Sequence, residues 1–139
     1  PFAGKATVTG EVKTGALLSR GAGASLTRPG QSAPRAMRVC PQAPRRTAFA
    51  WRWRDTVTGA FELTLPAGAR VTGVPEPADI ESPFFHYTMK WTAVGTTVKV
   101  ERKLTRKLRT VGPVRFEEFR AGVEQVHVAE ARAAVVRFE

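Results

Sequence analysis

Residues 85–108 read FHYTMKWTAVGTTVKVERKLTRKL, and this stretch decides the fold. In its first half every second residue is large and apolar, namely Phe85, Tyr87, Met89 and Trp91. That period of two is typical of a strand with one buried face. Val94-Gly95-Thr96 then reverses the chain, and alternation resumes from Val98 to Leu108. Two alternating runs around a Gly-containing turn predict an antiparallel β-hairpin.

Two arginines interrupt the apolar side of the return strand. Arg102 and Arg106 occupy positions where the alternation calls for apolar residues. Charged side chains at such positions are typical of strands that leave the core or lie at a sheet edge, where they discourage edge-to-edge pairing. The far half of this strand is therefore expected to twist away from the core or to form an edge.

Shorter strands are predicted before the hairpin. Residues 49–54 alternate, with the aromatic residues on one side and the arginines on the other, and are expected to open the ordered region as a strand. Residues 56–65 continue as a strand with a turn or bulge near Gly59. Pro66-Ala67-Gly68 predicts a tight turn, residues 71–74 a short strand, and Pro75-Glu76-Pro77 an extended connection.

A helix is predicted after the hairpin. It begins at Gly112-Pro113, because proline is favoured in the first turn and the acids at 117 and 118 complement the helix dipole. Its apolar residues recur at three- and four-residue steps, at Phe116, Phe119, Val123 and Val126. That face should pack on the sheet. Residues 135–138 are expected to add a last strand.

These elements predict a mainly β (α+β) fold, an antiparallel sheet or sandwich with one C-terminal helix packed on it. A chain of 139 residues with 42% hydrophobic content suits one domain with a modest core. Residues 51–139 are expected to form this β-domain. Residues 1–50 are predicted to be a poorly ordered arm rich in Gly, Pro and Arg, in which residues 6–12 could form a short strand.

An ordered series of short motifs resembles a known bacterial family. The motifs are Leu65-Pro66-Ala67-Gly68, Val74-Pro75-Glu76-Pro77, Glu81-Ser82-Pro83-Phe84, the hairpin, and Phe116 to Phe119. Over residues 57–139 they resemble the C-terminal β-domain of transglutaminase-like envelope proteins, which carry an N-terminal domain of unknown function, a papain-like transglutaminase core and a β-rich tail. The resemblance implies a non-catalytic tail, a periplasmic or cell-envelope location, and a protein partner such as the parent's catalytic domain.

The charge offers a second functional hypothesis. The formal net charge is +10, and no acidic residue occurs between Glu11 and Asp55. Such a balance favours polyanions, nucleic acid among them. The candidate contacts are Arg52, Arg54, Lys99, Lys103 and Lys107. In a strand, however, the tryptophans at 51 and 53 point away from the neighbouring arginines, which separates base stacking from phosphate binding.

No catalytic, cofactor or metal site is predicted. Cys40 is the single cysteine, followed by proline in a Gly/Pro-rich stretch, so neither an internal disulfide nor a positioned thiolate is expected. His86 is interpreted as a solvated side chain and His127 as a cation near the helix end. Asp79 and Glu81 are interpreted as solvated loop acids without a fixed partner.

The sequence thus predicts a non-catalytic accessory or interaction domain, with a basic nucleic-acid- or polyanion-binding module as the alternative. The first residue is Pro1 rather than methionine, so a fragment or processed form of a larger envelope protein is expected. No run of eighteen or more apolar residues occurs, and no transmembrane segment is predicted.

Overall fold

The computed structural model describes Leu18–Arg20, Ala24–Leu26 and residues 46–50 and 56–138. Within them the strands are β1 (Leu18–Arg20), β2 (Ala24–Leu26), β3 (Phe49–Ala50), β4 (Thr56–Thr64), β5 (Ala69–Gly73), β6 (Ala78–Glu81), β7 (Phe85–Val94), β8 (Thr97–Arg106), β9 (Thr110–Val111) and β10 (Ala134–Phe138). A 3₁₀ turn, Pro113–Arg115, leads into helix α1, Phe116–Glu130. The predicted fold class is confirmed: antiparallel strands predominate, with one C-terminal helix.

The predicted hairpin is confirmed as β7 and β8, which pair in register from Phe85 with Arg106 to Val94 with Thr97. Its loop has two residues rather than the predicted three, because Val94 remains in the ladder. Gly95, the first loop residue, has φ 59°. That backbone conformation favours glycine, and a glycine at this place is typical of the tight turns that match strand twist.

β8 lies inside a four-stranded sheet, whose order is β4-β8-β7-β6. The expectation that its far half leaves the core or forms an edge was therefore wrong. β4 pairs with β8 over its whole length without a register shift, so the predicted turn or bulge near Gly59 does not occur. β6 is an additional strand, formed by residues directly after the predicted extended connection.

The C-terminal strand joins a second sheet, of order β1-β2-β10-β5. β10 confirms the predicted last strand, and β5 begins two residues before the short strand predicted at 71–74. β1 and β2 lie within the predicted arm, and β2 pairs with β10. β3 pairs with β9. Residues 6–12 and 51–54 lie outside the described residues, and the division at residue 50 stays a prediction.

Helix α1 packs its apolar stripe against the start of β7. The four residues predicted for that face, Phe116, Phe119, Val123 and Val126, are all buried. The ring of Phe119 meets those of Phe84 and Phe85 edge-on, with centroids 5.6 and 6.2 Å apart. Such edge-to-face pairs add to the stabilisation from burial alone. A Cβ at Gly122 would lie 3.1 Å from Cζ of Phe85, so the glycine permits this close approach.

A partly buried ion pair connects the end of α1 to the sheet. Arg102 lies on the apolar side of β8, opposite Met89 of β7 and Gly59 of β4. Its Nη1 donates to Oε1 of Glu130 at 3.1 Å, and the Tyr87 hydroxyl donates to the same oxygen at 2.9 Å. The Glu130 side chain is only 5% exposed. The arginine that interrupts the sequence pattern thus neutralises a carboxylate beneath the helix end.

Replacing Arg102 with alanine should destabilise the fold, because the buried Glu130 carboxylate would lose its cation. We expect a loss of about 2–3 kcal/mol in the free energy of unfolding by denaturant titration. Arg120→Ala is the matched control, since Arg120 pairs with Glu117 at the exposed surface, and its cost should stay within about 0.5 kcal/mol. Equal costs for the two variants would contradict this role of the pair.

Candidate interaction surfaces

The side of the β4-β8-β7-β6 sheet that faces away from α1 is polar. This outer face carries the even-numbered residues of β4 and β7 and the odd-numbered residues of β8, together with Asp79 and Glu81 of β6. Successive strand residues point to opposite faces, so the alternation read from the sequence places these side chains together. Cations and carboxylates are interspersed: Lys90, Lys99 and Lys103 lie among Glu62, Asp79, Glu81 and Glu101.

Two of the five predicted polyanion contacts lie on this face. Lys99 and Lys103 are both on β8, four residues apart on the same face, and Lys107 follows the end of that strand. Arg52 and Arg54 lie outside the described residues. The structure therefore brings the lysines to one side of the sheet and does not test the arginines.

Lys99 is engaged by a neighbouring carboxylate. Its Nζ lies 2.8 Å from Oε1 of Glu101. The hydrogen bond, and then the attraction between the two charges, raises the pKa of Lys99 above 10.5 and lowers the pKa of Glu101 below 4.5. Lys107 likewise pairs with Glu81 of β6. Paired lysines offer less net attraction to a polyanion than their number suggests.

Lys90 and Lys103 form a different pair, and the sequence reasoning did not include Lys90. Lys103 of β8 lies opposite Thr88 of β7, and Lys90 is two residues after Thr88 on β7. The two lysines are therefore diagonal neighbours on adjacent strands. Neither has an ion pair within the described residues. They line a shallow groove of about 550 Å³ whose other polar lining includes Thr58, Thr88 and the carboxylates of Asp79 and Glu101. The cross-strand register, which no single strand reveals, creates this arrangement.

Asp79 and Glu81 are strand residues of β6, so their interpretation as loop acids without a partner was wrong. Oδ1 of Asp79 lies 2.6 Å from Nε2 of His86, and Oε2 of Glu81 lies 3.7 Å from the same nitrogen. The His86 side chain is 40% exposed. Within the described residues no group of three or more His, Cys, Asp or Glu side chains is arranged to hold a metal ion. Cys40 lies outside them.

His127 lies in the last turn of α1 and is only partly exposed. Its Nδ1 lies 3.8 Å from Oε2 of Glu124, while Nε2 is buried and has no hydrogen-bond partner in the described part of the chain. A location near the helix C-terminus agrees with the sequence reading. The buried nitrogen shows that the ring also packs inward, which the interpretation as a helix-end cation did not include.

A second groove, of about 540 Å³, separates the edge strand β6 from α1. Its apolar lining includes Pro77, Ile80, Ala121 and Val128, and its polar lining includes Asp79, Glu124, Gln125 and Arg132. Val128 is 57% exposed, although it is a large apolar residue. A combination of apolar and charged lining residues is typical of a protein-binding surface. In the sequence, the only signal was that Val128 departs from the buried stripe of α1.

Replacing Lys99 with glutamine should return the pKa of Glu101 toward its ordinary value of 4.5, since the hydrogen-bonding ammonium is lost. An NMR titration of the side-chain carboxyl would measure this. Lys103→Gln is the control and should leave Glu101 unchanged. A lowered carboxyl pKa favours the folded state above the unfolded pKa, and that contribution is lost as the pH falls. Because both side chains are about half exposed, screening keeps the effect on stability small.

No helix in the described residues has the length and apolar character needed to cross a membrane.

Comparison with known families matches residues 38–136 to a domain of unknown function with a solved structure, DUF3858. No curated protein and no solved structure matches the chain.

Proposed function

We propose that this chain, which belongs to the DUF3858 family, is a non-catalytic interaction domain. In this proposal it binds a protein segment in the groove between β6 and α1. The observation that carries the proposal is Val128, a large apolar residue that is exposed on the α1 wall of this groove. The half-buried Ile80 lines the β6 wall. Large apolar side chains clustered in a concave surface mark binding sites more often than scattered ones do.

The elements that form the groove support this use. β6 is an edge strand in the described sheet, while α1 is anchored from below by Phe119 and by the Arg102–Glu130 pair. The two walls are therefore held in place by the core. A preorganised surface loses less conformational entropy on binding than a flexible one. The charged lining residues would orient the bound segment and discourage wrong partners.

We further propose that the parent protein is a transglutaminase-like envelope protein of the periplasm or cell envelope, and that the groove binds its catalytic domain. Support comes from the ordered motifs. Residues 65–68 connect β4 to β5, 74–77 precede β6, and 81–84 connect β6 to β7. Two of these three segments directly precede or follow β6, the strand that lines the groove. A segment that positions β6 also positions the surface on which the proposed partner would bind.

Introducing a charge into the groove should weaken binding of that partner. The probe is a separately expressed transglutaminase-like core domain from the same organism, titrated calorimetrically with the chain. Val128→Arg should reduce the affinity by at least about tenfold, because a long charged side chain would replace the apolar contact and occupy the groove. Val114→Arg is the matched control, since Val114 is 94% exposed and outside the groove. Unchanged binding by Val128→Arg would refute the groove as the site.

Polyanion binding is the second candidate function, and the adjacent Lys90 and Lys103 favour it. Replacing both with glutamine should weaken binding to a single-stranded DNA oligonucleotide and reduce the slope of log affinity against log salt by about two. The matched control, Arg115→Gln with Arg120→Gln, removes the same charge from α1 and its preceding turn, where both arginines pair with glutamates. The same slope in both double variants would show that only net charge matters.

A further inference from the structure

β4 is a long strand at one edge of the β4-β8-β7-β6 sheet. It pairs with β8 over all nine residues, and no other described strand pairs with it. Unpaired edges of this length can add a strand from another chain, and proteins commonly block them with lysine, proline, bulges or shortness. β4 has none of these features, since its only charge is Glu62 and its register is unbroken.

The hairpin loop determines which backbone groups of β4 point outward. In a hairpin with a two-residue loop, the flanking residues Val94 and Thr97 form a hydrogen-bonded pair. The odd-numbered residues of β8 therefore bond to β7, and the even-numbered ones bond to β4. The backbone N–H of Leu65 donates to the carbonyl of Thr96 at 2.7 Å, which agrees with this parity. The outward N–H and C=O groups of β4 consequently belong to residues 56, 58, 60, 62 and 64.

We propose that β4 pairs antiparallel with β4 of a second copy of this chain, about a two-fold axis at Ala60. The register is self-complementary. It brings Thr58 opposite the partner's Glu62 in a hydrogen-bonded pair, and Val57 opposite the partner's Leu63 in a non-bonded pair, where side chains are closer. Val57 and Leu63 are half-buried in one chain, so pairing would cover apolar surface that remains open.

The same register places the partner's Phe61 beside Gly59. A Cβ at Gly59 would lie 2.8 Å from Nε of Arg102, so the Arg102 side chain lies directly over this glycine. An aromatic ring opposite a strand glycine covers the exposed backbone, an arrangement that stabilises sheet pairs. Here the ring would also meet the stem and guanidinium of Arg102, and both contacts occur twice because of the symmetry.

Charges on the outer face are compatible with the pairing. Thr58 lies beside Lys103 on β8, and Glu62 lies beside Lys99. In the dimer the partner's Glu62 therefore approaches Lys103 across Thr58, and no like charges face each other at the new strand pair. The opposite edge, β6, has four residues including Asp79 and Glu81. Pairing through β4 thus closes as a dimer and does not extend into a fibre.

Analytical ultracentrifugation of the full chain tests the proposal. We expect a concentration-dependent species of twice the 15.2 kDa chain mass. Ala60→Lys would place two lysines opposite each other at the axis and should raise the dimer dissociation constant by about tenfold. Ala131→Lys, with the same change at an exposed site after α1, should not. A monomer at every concentration up to the solubility limit, or equal dimerisation of both variants, would overturn the proposal.

Hydrogen exchange of the unaltered chain supplies a test that needs no variant. The amides of residues 57, 59, 61 and 63 bond to β8 and should exchange slowly at any concentration. The amides of residues 58, 60 and 62 should exchange rapidly when dilute and slowly when concentrated. Uniformly rapid exchange of this second set in concentrated solution would contradict strand pairing. The proposal is independent of the β6–α1 groove, so either can fail alone.

Discussion

The register of the β7–β8 hairpin is the constraint on which the other features of this domain depend. Gly95 closes the loop in two residues and thereby fixes which side chains of the two strands share a face. A shift of one residue would turn the apolar row beginning at Phe85 toward solvent and the lysines toward α1. Because β4 and β6 pair directly with this hairpin, its register also determines the outer face, the groove walls and the orientation of the edge strand β4.

Sequence periodicity predicted the elements whose burial follows a simple repeat. The hairpin, the apolar stripe of α1 and the last strand each show such a repeat, and all three were predicted correctly. β6 was missed because four residues between prolines are too short to establish a period. Arg102 was misread for a different reason: its partner Glu130 is distant in sequence, and only the packing of α1 on β8 brings the two together.

The candidate surfaces were less predictable than the fold, because they depend on pairs between elements. Alternation alone placed Lys99 and Lys103 on one face, as the structure confirms. The same alternation places Glu101 beside Lys99, two residues along β8, so that ion pair was within reach of the sequence pattern. The pairing of Lys107 with Glu81 was not, because the pattern along β8 does not include β6. Net charge therefore overstated how many cations this part of the surface offers.

Gly59 connects the core to β4, an edge strand among the described residues. The Arg102 side chain that pairs with Glu130 also lies against Gly59, and a Cβ at position 59 would meet its Nε, so the position of this side chain explains the glycine. The Arg102 side chain occupies the space above this glycine, and an incoming aromatic ring would pack against that side chain at the edge strand. A glycine in an edge strand usually weakens it. Here the weakness would be offset twice, from within by the ion pair and from outside by a second strand, which ties the stability of the domain to its association.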